Sequence, residues 1–271
     1  MPSLYIVATP IGNLEDISPR AVRILREVDL IAAEDTRKTR ILLDKYEIKT
    51  SLTSYYEHNK IDKLDYILSQ LEQKDIAIVS EAGMPGISDP GYELVAAAVE
   101  KGFTVVPIPG PSAIITALAV SGLPTDRFTF IGFLPRRIGD RRKVLTTVLS
   151  ETGTIIAYEA PHRLQAALSD IIYVLGDRRI CVCRELTKMY EEVFRGTASE
   201  ALEHFNDPRG EFVLVIDGKA KEKPQLTGDV IKRLEALQQE GLGARESVEK
   251  VVKETGLAKK EVYQAWLKLL S

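Results

Sequence analysis

Short apolar runs alternate with amphipathic stretches along most of this chain. Leu4–Ala8, Asp29–Ala33, Ile76–Val79 and Phe103–Ile108 read as buried strands. The segments between them carry helical spacing. One helix opens at Ser18-Pro19, with serine as N-cap and proline in the first turn. Others are expected within Arg37–Tyr46, within Lys60–Gln73, from Asp89-Pro90 to Gly102, and beyond Ser112. Strands alternating with helices predict a mostly parallel, doubly wound sheet. A boundary falls near Ser121-Gly122-Leu123-Pro124. Beyond it the alternation is less regular. Arg127–Phe133, Thr154–Tyr158, Arg179–Arg184, Glu192–Arg195 and Glu211–Asp217 read as strands, and His162–Leu175 and Ala198–Phe205 as helices. From about Pro224 three short helices are expected, Gly228–Gln239, Ala244–Thr255 and Ala258–Leu270, punctuated by Gly241, Gly243 and Gly256. The last two resemble a helix-turn-helix, and a plain helical packing module fits equally well. The fold class is therefore α/β. The expected division is an α/β domain over 1–121, a second α/β domain over 122–223 and a helical module over 224–271.

The loop Ser80–Gly91 stands out from this pattern. Its twelve residues hold three glycines and two prolines, more than a strand-to-helix connection needs. It leaves the carboxyl end of a strand, where open α/β sheets bind ligands. A long packed turn is the alternative. Two similar loops, Pro10–Leu14 and Pro109–Ala113, follow other strands. None carries G-x-G-x-x-G, a P-loop or a G-x-S-x-G elbow, which argues against a nucleotide-dependent oxidoreductase, a P-loop nucleotidase and an α/β-hydrolase. Rigid loops rich in small residues and backbone polar groups suit a flat, semi-polar cofactor such as an adenosine derivative.

Composition narrows the class. The chain has 271 residues, 45% hydrophobic and 28% charged, as in soluble globular proteins. It has no apolar run of membrane-spanning length, and its N-terminal segment lacks a basic signal-peptide region, so a cytoplasmic location is expected. Cys181 and Cys183 share one strand face at a spacing unsuited to an ordinary disulfide, which fits a reducing compartment. No ligand spacing points to a metal. Net charge is −3, yet from Lys219 onward eleven Lys and Arg face eight Asp and Glu. Arg136, Arg137, Arg141, Arg142 and Lys143 form a second basic cluster opposed only by Asp140. Such clusters are solvated faces or phosphate grips. Lys250, Lys253, Lys259 and Lys260 in the tail extend the same choice.

Several ordered segments carry a more specific signal. Leu4–Leu14, Ile31–Arg37, Ser80–Gly91, Pro109–Ala113, Gly122–Phe128, Gly132–Pro135, Tyr158–Leu164 and Arg184–Lys188 resemble the tetrapyrrole-methylase superfamily. The likeness runs from Leu4 to about Gly218 and more loosely into the tail. Within the superfamily it is strongest for members that methylate small-subunit ribosomal RNA. The family loop commonly begins Ser-Asp-Ala-Gly-Thr-Pro; here it is Ser80-Glu81-Ala82-Gly83-Met84-Pro85, with the carboxylate one methylene longer. The resemblance implies S-adenosylmethionine as cofactor in a cleft between two α/β domains, a homodimer, and no metal. It implies methyl transfer to the ribose 2′-hydroxyl of a decoding-region cytidine in small-subunit (16S) rRNA. The cofactor residues it points to are Pro10, Gly12, Glu81, Gly83, Ile87, Ser88, Asp89, Ser112, Ala113 and Phe133. The partner is that rRNA or the assembled small subunit, gripped by the Arg136–Lys143 cluster.

The reaction sets its own demands. A sulfonium methyl is already electrophilic, so alignment does much of the work, about 7–11 kcal/mol where it is well achieved. The ribose hydroxyl needs a proton acceptor, or a cation beside the developing alkoxide. Candidates are Glu34, Arg37, Glu159, His162, Arg184, Glu185 and Lys188, with the base unassigned. Each has a structural alternative. Glu34 and Arg37 pair with one another, His162 caps a helix, and Arg184, Glu185 and Lys188 form a salt network. Ser112 is a helix N-cap, and Phe212 fills core. Rival functions are methylation of a tetrapyrrole precursor or of a translation-factor side chain, and a non-enzymatic rRNA-binding assembly factor.

Overall fold

The computed structural model describes residues 2–56, 60–220 and 226–269, apart from the side chains at 60 and 62. The expected domain boundary at 223/224 and the end of the last expected helix at Leu270 lie outside the described residues. Two compact units are present, 1–219 and 220–271.

In the first unit the chain runs β1 (Ser3–Val7), α1 (Pro19–Glu27), β2 (Leu30–Ala33), α2 (Thr36–Lys45), β3 (Ser51–Ser54), α3 (Lys60–Leu71), β4 (Ile76–Val79), α4 (Tyr92–Glu100) and β5 (Thr104–Ile108). The five strands form one sheet, ordered β3-β2-β4-β1-β5, with every pair parallel. Alternate side chains serve opposite cores, as the two-residue period of a strand requires. Val7, Ile31, Ala33, Ala77 and Val79 pack on α1 and α2, while Leu4, Ile6, Ala32, Ile76 and Ile78 pack on α3 and α4. The sheet is thus buried on both faces, which is why its strands are unbroken apolar runs. Ser18 caps α1 as expected, accepting the Ala21 amide at 3.1 Å. β3 was absent from the sequence expectation. It is a four-residue edge strand, Ser-Leu-Thr-Ser, with a single apolar side chain. Asp89-Pro90 does not begin α4 either; that helix starts at Tyr92 behind Gly91, whose φ of 149° suits glycine.

The chain continues through α5 (Ala113–Ser121), β6 (Phe128–Phe133), α6 (Ile138–Thr147), β7 (Thr154–Glu159), α7 (Leu164–Leu175), β8 (Arg179–Arg184), β9 (Glu192–Thr197), α8 (Ala198–His204) and β10 (Phe212–Ile216). The second sheet is ordered β6-β7-β10-β8-β9 and is mixed: β6 and β7 are parallel, the other pairs antiparallel. One face is covered by α6, α7 and α8 through Leu145, Leu168, Ile171 and Ala201. The other face carries Ile156, Cys181, Cys183, Val213 and Val215 against Ile114, Ala117 and Leu118 of α5. The expected boundary at 121/122 therefore falls after a helix that already serves the second core. Cys181 and Cys183 are free, buried, and 3.7 Å apart through their sulfurs.

The second unit consists of α9 (Gly228–Gln239), α10 (Ala244–Thr255) and α11 (Lys259–Lys268). Leu234, Leu237, Val248, Val251, Val262 and Trp266 form its core. Gly256, at φ 69°, ends α10 in the left-handed conformation expected of a C-terminal glycine.

Candidate active site

The first sheet places a binding site by its topology. β1 and β4 are neighbours, yet the helix after β1 packs on one face and the helix after β4 on the other. A crevice must open outside the carboxyl ends of these strands, the position at which such sheets bind ligands. The loops leaving β1 and β4 are joined there. Thr9 and Gly83 exchange two backbone hydrogen bonds, of 2.9 and 3.0 Å. Gly83 sits at φ +85°, a conformation that penalises any side chain with a Cβ. Gly110, after β5, is held close to β1: a Cβ there would lie 3.0 Å from that of Ala8.

A cavity of about 730 Å³ occupies this crevice, within the roughly 300–1,000 Å³ of small-molecule sites. Its floor and one side come from Glu81, Gly83, Ile87, Asp89, Ser112 and Ala113. The facing side comes from the second sheet and is aromatic: Phe128, Phe130, Phe133 and Tyr158. Phe130 and Phe133 stand 5.0 and 5.2 Å from Tyr158 by ring centroid. Alternation along a strand would send residues 130 and 133 to opposite faces. A bulge between them, with Gly132 at φ +70°, brings Phe133 round to join the others. It leaves Phe133 54% exposed, an apolar surface presented to a ligand.

The polar groups at the cavity are mainly acidic. Glu34 directly follows β2, and its carboxylate accepts the Glu81 amide at 3.1 Å. Burial raises its pKa. Glu81 is ion-paired with Lys38, one turn into α2. Asp89 is pushed up to about 7 by burial, then by the Glu34 charge, with the Ser80 hydroxyl acting in the other direction. Burial likewise pushes Tyr158 up to about 12, and the Asp89 charge adds to it. Glu159 is 1% exposed. Its Oε1 accepts the Ala160 amide at 2.8 Å and meets Arg163 at 3.1 Å. Its Oε2 is buried without a hydrogen-bond partner among the described residues.

The expected site residues divide accordingly. Glu34, Glu81, Gly83, Ile87, Asp89, Ser112, Ala113, Phe133 and Glu159 border the cavity. Pro10, Gly12 and Ser88 are not among its lining residues. Pro10 is buried, and a Cβ on Gly12 would meet Lys188 Cγ at 2.5 Å and the Leu186 carbonyl at 2.9 Å. Ser112 holds the N-cap position of α5 without a side-chain cap bond. Arg37 does not pair with Glu34; its guanidinium binds Asp35 at 3.0 Å and holds that carboxyl at about 2. His162 is exposed in a 3-10 turn before α7 and is not a cavity residue. Arg184 pairs with Glu192 at 3.3 Å, and Lys188 with Glu185 and Glu211 at 2.9 and 2.8 Å, so these form two networks rather than one. Glu211 belongs to the cavity rim, as the sequence alone did not indicate. Phe128 and Phe130 were also missed, although two aromatics spaced by two on a strand were a usable signal.

The expected basic cluster is only partly a free surface. α6, a helix absent from the sequence expectation, carries Arg141 inward. Arg141 is 4% exposed, and its guanidinium meets Asp170 at 2.6 Å and the Arg136 carbonyl at 3.1 Å. Arg142 meets the other Asp170 oxygen at 2.6 Å and lies 3.9 Å over the Tyr173 ring. Neither is a free phosphate grip. Arg136, Arg137 and Lys143 remain exposed.

A topological crevice walled by aromatics and rimmed by carboxylates defines a site for a flat ligand that carries positive charge. The chain belongs to the family of tetrapyrrole (corrin/porphyrin) methylases, whose match covers residues 3–202. It is a methyltransferase that uses S-adenosylmethionine. It is 46% identical over 272 aligned positions to Ribosomal RNA small subunit methyltransferase I of Halalkalibacterium halodurans, covering 97% of this chain and 94% of that protein. To the protein of the same name from Synechocystis sp. it is 47% identical over 272 positions, covering 98% of each. Among solved structures, diphthine synthase superposes with a TM-score of 0.63 at 14% identity, over 81% of this chain and 91% of that one; this likeness is one of fold.

The residues present fit the cofactor. The aromatic wall offers a face for an adenine ring, and the Glu34 and Glu81 carboxylates suit a sulfonium and an ammonium. Gly83 and Gly110 allow close backbone approach. When bound, the cofactor supplies an electrophilic methyl group. Among the described residues there is no metal-binding group of three or more His, Cys, Asp or Glu side chains. Nor is any helix long and apolar enough to cross a membrane.

Proposed function

We propose that this chain transfers a methyl group from S-adenosylmethionine to the ribose 2′-hydroxyl of a decoding-region cytidine in small-subunit rRNA. It acts in the cytoplasm, as a homodimer. The observation that carries this reading is identity of 46–47% across nearly the whole chain to proteins named for that rRNA substrate. The relation includes the helical tail, beyond the 3–202 span of the family match. In this reading the protein works as a methylase domain over 1–121, a second α/β domain over 122–223 and a tail over 224–271. The loop glycines and Ser112 hold cofactor, Phe133 and Tyr158 face its ring, and Arg136, Arg137 and Lys143 meet RNA phosphates. Lys250, Lys253 and Lys260 of the tail, all exposed, add phosphate contacts; Lys259 is committed to Glu249 at 3.3 Å.

The test uses labelled methyl donor and small subunits from cells lacking this gene, with the digested rRNA read by mass spectrometry. One 2′-O-methylcytidine is expected. Label on a base, on protein, or on no acceptor would reject the reading in favour of another methylase activity or an assembly factor. In the same system, reversing Arg136 and Arg137 to Glu is expected to lower the slope of log affinity for RNA against log salt by about 2. An unchanged slope would remove these arginines from the RNA contact.

A further inference from the structure

With ribose as the acceptor, as proposed above, a group at the cavity must remove the proton of its hydroxyl. Five carboxylates border the cavity: Glu34, Glu81, Asp89, Glu159 and Glu211. Four are engaged. Glu34 holds the Glu81 amide, Glu81 is paired with Lys38, Glu159 holds Arg163 and the Ala160 amide, and Glu211 is paired with Lys188. Asp89 alone of the five, among the described residues, has neither an ion pair nor a backbone amide on its carboxylate.

The backbone around Asp89 is shaped. Ser88, directly before it, stands at φ +65°, a left-handed conformation that costs a residue with a Cβ about 1–2 kcal/mol. Strain of this kind gathers at functional sites. The Ser88 hydroxyl lies 3.7 Å from where a Cβ on Gly132 would stand, so the loop abuts the β6 bulge that carries the aromatic wall. Asp89 is thereby held between the loops of the first sheet and Tyr158 of the second. The titratable groups facing it are Glu34 from the end of β2, Glu81 from its own loop and Tyr158 from β7, with the Ser80 hydroxyl at the end of β4.

We propose that Asp89 is the general base of the methyl transfer. The ribose oxygen forms its bond to the methyl carbon as the carbon–sulfur bond breaks, and that bonding pair stays on sulfur. The hydroxyl proton passes to an Asp89 oxygen and from there to water. Glu34 is a positioning residue: it fixes the Glu81 loop and, by its charge, keeps Asp89 basic. Burial and that charge bring Asp89 to about 7, near the operating pH at which a base is most effective. Protonated Asp89 cannot accept, so the rate rises with pH until the carboxylate is fully ionised.

The experiment compares wild type, Asp89→Asn and Glu34→Gln on the same small subunits at saturating donor. Calorimetric binding of S-adenosylhomocysteine, which lacks the sulfonium charge, is the second readout. The wild-type rate is expected to climb with unit slope and then level. Asp89→Asn is expected to lose that acid limb and about 100-fold or more in kcat, the usual worth of a general base, while its S-adenosylhomocysteine affinity stays within about threefold of wild type. Glu34→Gln keeps the limb and shifts it to lower pH. A kcat within about threefold of wild type for Asp89→Asn, an acid limb lost instead in Glu34→Gln, or parallel loss of homocysteine-product binding and rate would each overturn the assignment. Failure of the wild type to methylate ribose would instead reject the function on which the assignment rests.

Discussion

Arg141→Met is expected to destabilise the 1–219 unit by about 3–5 kcal/mol, the usual cost of stripping one partner from a buried ion pair. Arg141 and Asp170 have side chains only 5% and 3% exposed, and both contacts from the guanidinium to Oδ2 are short, 2.6 and 2.7 Å. Without Arg141 the carboxylate keeps only the half-exposed Arg142. In a unit of this size each kcal/mol lowers Tm by about 2–4 °C, so a fall of roughly 6–20 °C is expected by calorimetry. The paired variant Arg141→Met/Asp170→Leu should recover most of the loss, because an apolar pair of similar volume is often as stable as the ion pair it replaces. A fall below about 2 °C for the single variant would mean that the pair contributes little net stability. The same pair governs any attempt to probe RNA binding here. Reversing Arg141 would unfold α6 from α7, and RNA would be lost for a reason unrelated to phosphate.

Gly83→Val is expected to weaken cofactor binding at least about tenfold and to lower Tm by about 2–8 °C. A β-branched residue at φ +85° carries about 1–2 kcal/mol or more of backbone strain. The loop relieves it by breaking the Thr9 exchange and turning toward the cavity. The space beside the new Cβ is not itself closed, since Ile11 Cγ2 and the Pro111 carbonyl stand at 3.6 and 3.8 Å. The effect is therefore conformational rather than steric, and Gly83→Ala should show most of it. Calorimetric titration with S-adenosylhomocysteine is the check. Affinity within about twofold of wild type for both variants would show that the bridged loop geometry does not shape the pocket.

The strands of the first sheet were legible because burial on both faces removes polar residues from them; Ile76–Val79 is the plainest case. β3 was illegible because an edge strand with one half-solvated face has little apolar content to display. α6 was hidden by its charge. Its N-cap and first two turns hold five charged residues from Arg137 to Lys143, read together as a surface, yet Arg141 shares a helical face with the buried Leu145 and Val148. Periodicity outranked charge at that position. In the site, the three loops were visible through their glycines and prolines, since those residues record backbone constraints directly. The aromatic wall was half visible. Phe133 came from likeness to a family, whereas its alignment with Phe128 and Phe130 depends on a bulge that no two-residue pattern announces. The pairing choices of Arg37, Arg184 and Lys188 were illegible because they depend on which strands become neighbours in space.

The double exchange between Thr9 and Gly83 has a consequence for energetics. It ties two loops, separated by more than seventy residues of chain, into one small ladder before any ligand arrives. The entropy of ordering them is then charged to folding rather than to binding. Affinity and global stability become linked quantities in this protein. A cofactor that binds only the ordered loops shifts the folding equilibrium in proportion to the logarithm of its concentration. Its melting temperature is therefore expected to climb with cofactor concentration, so the occupancy of the crevice can be read from the stability of the whole fold.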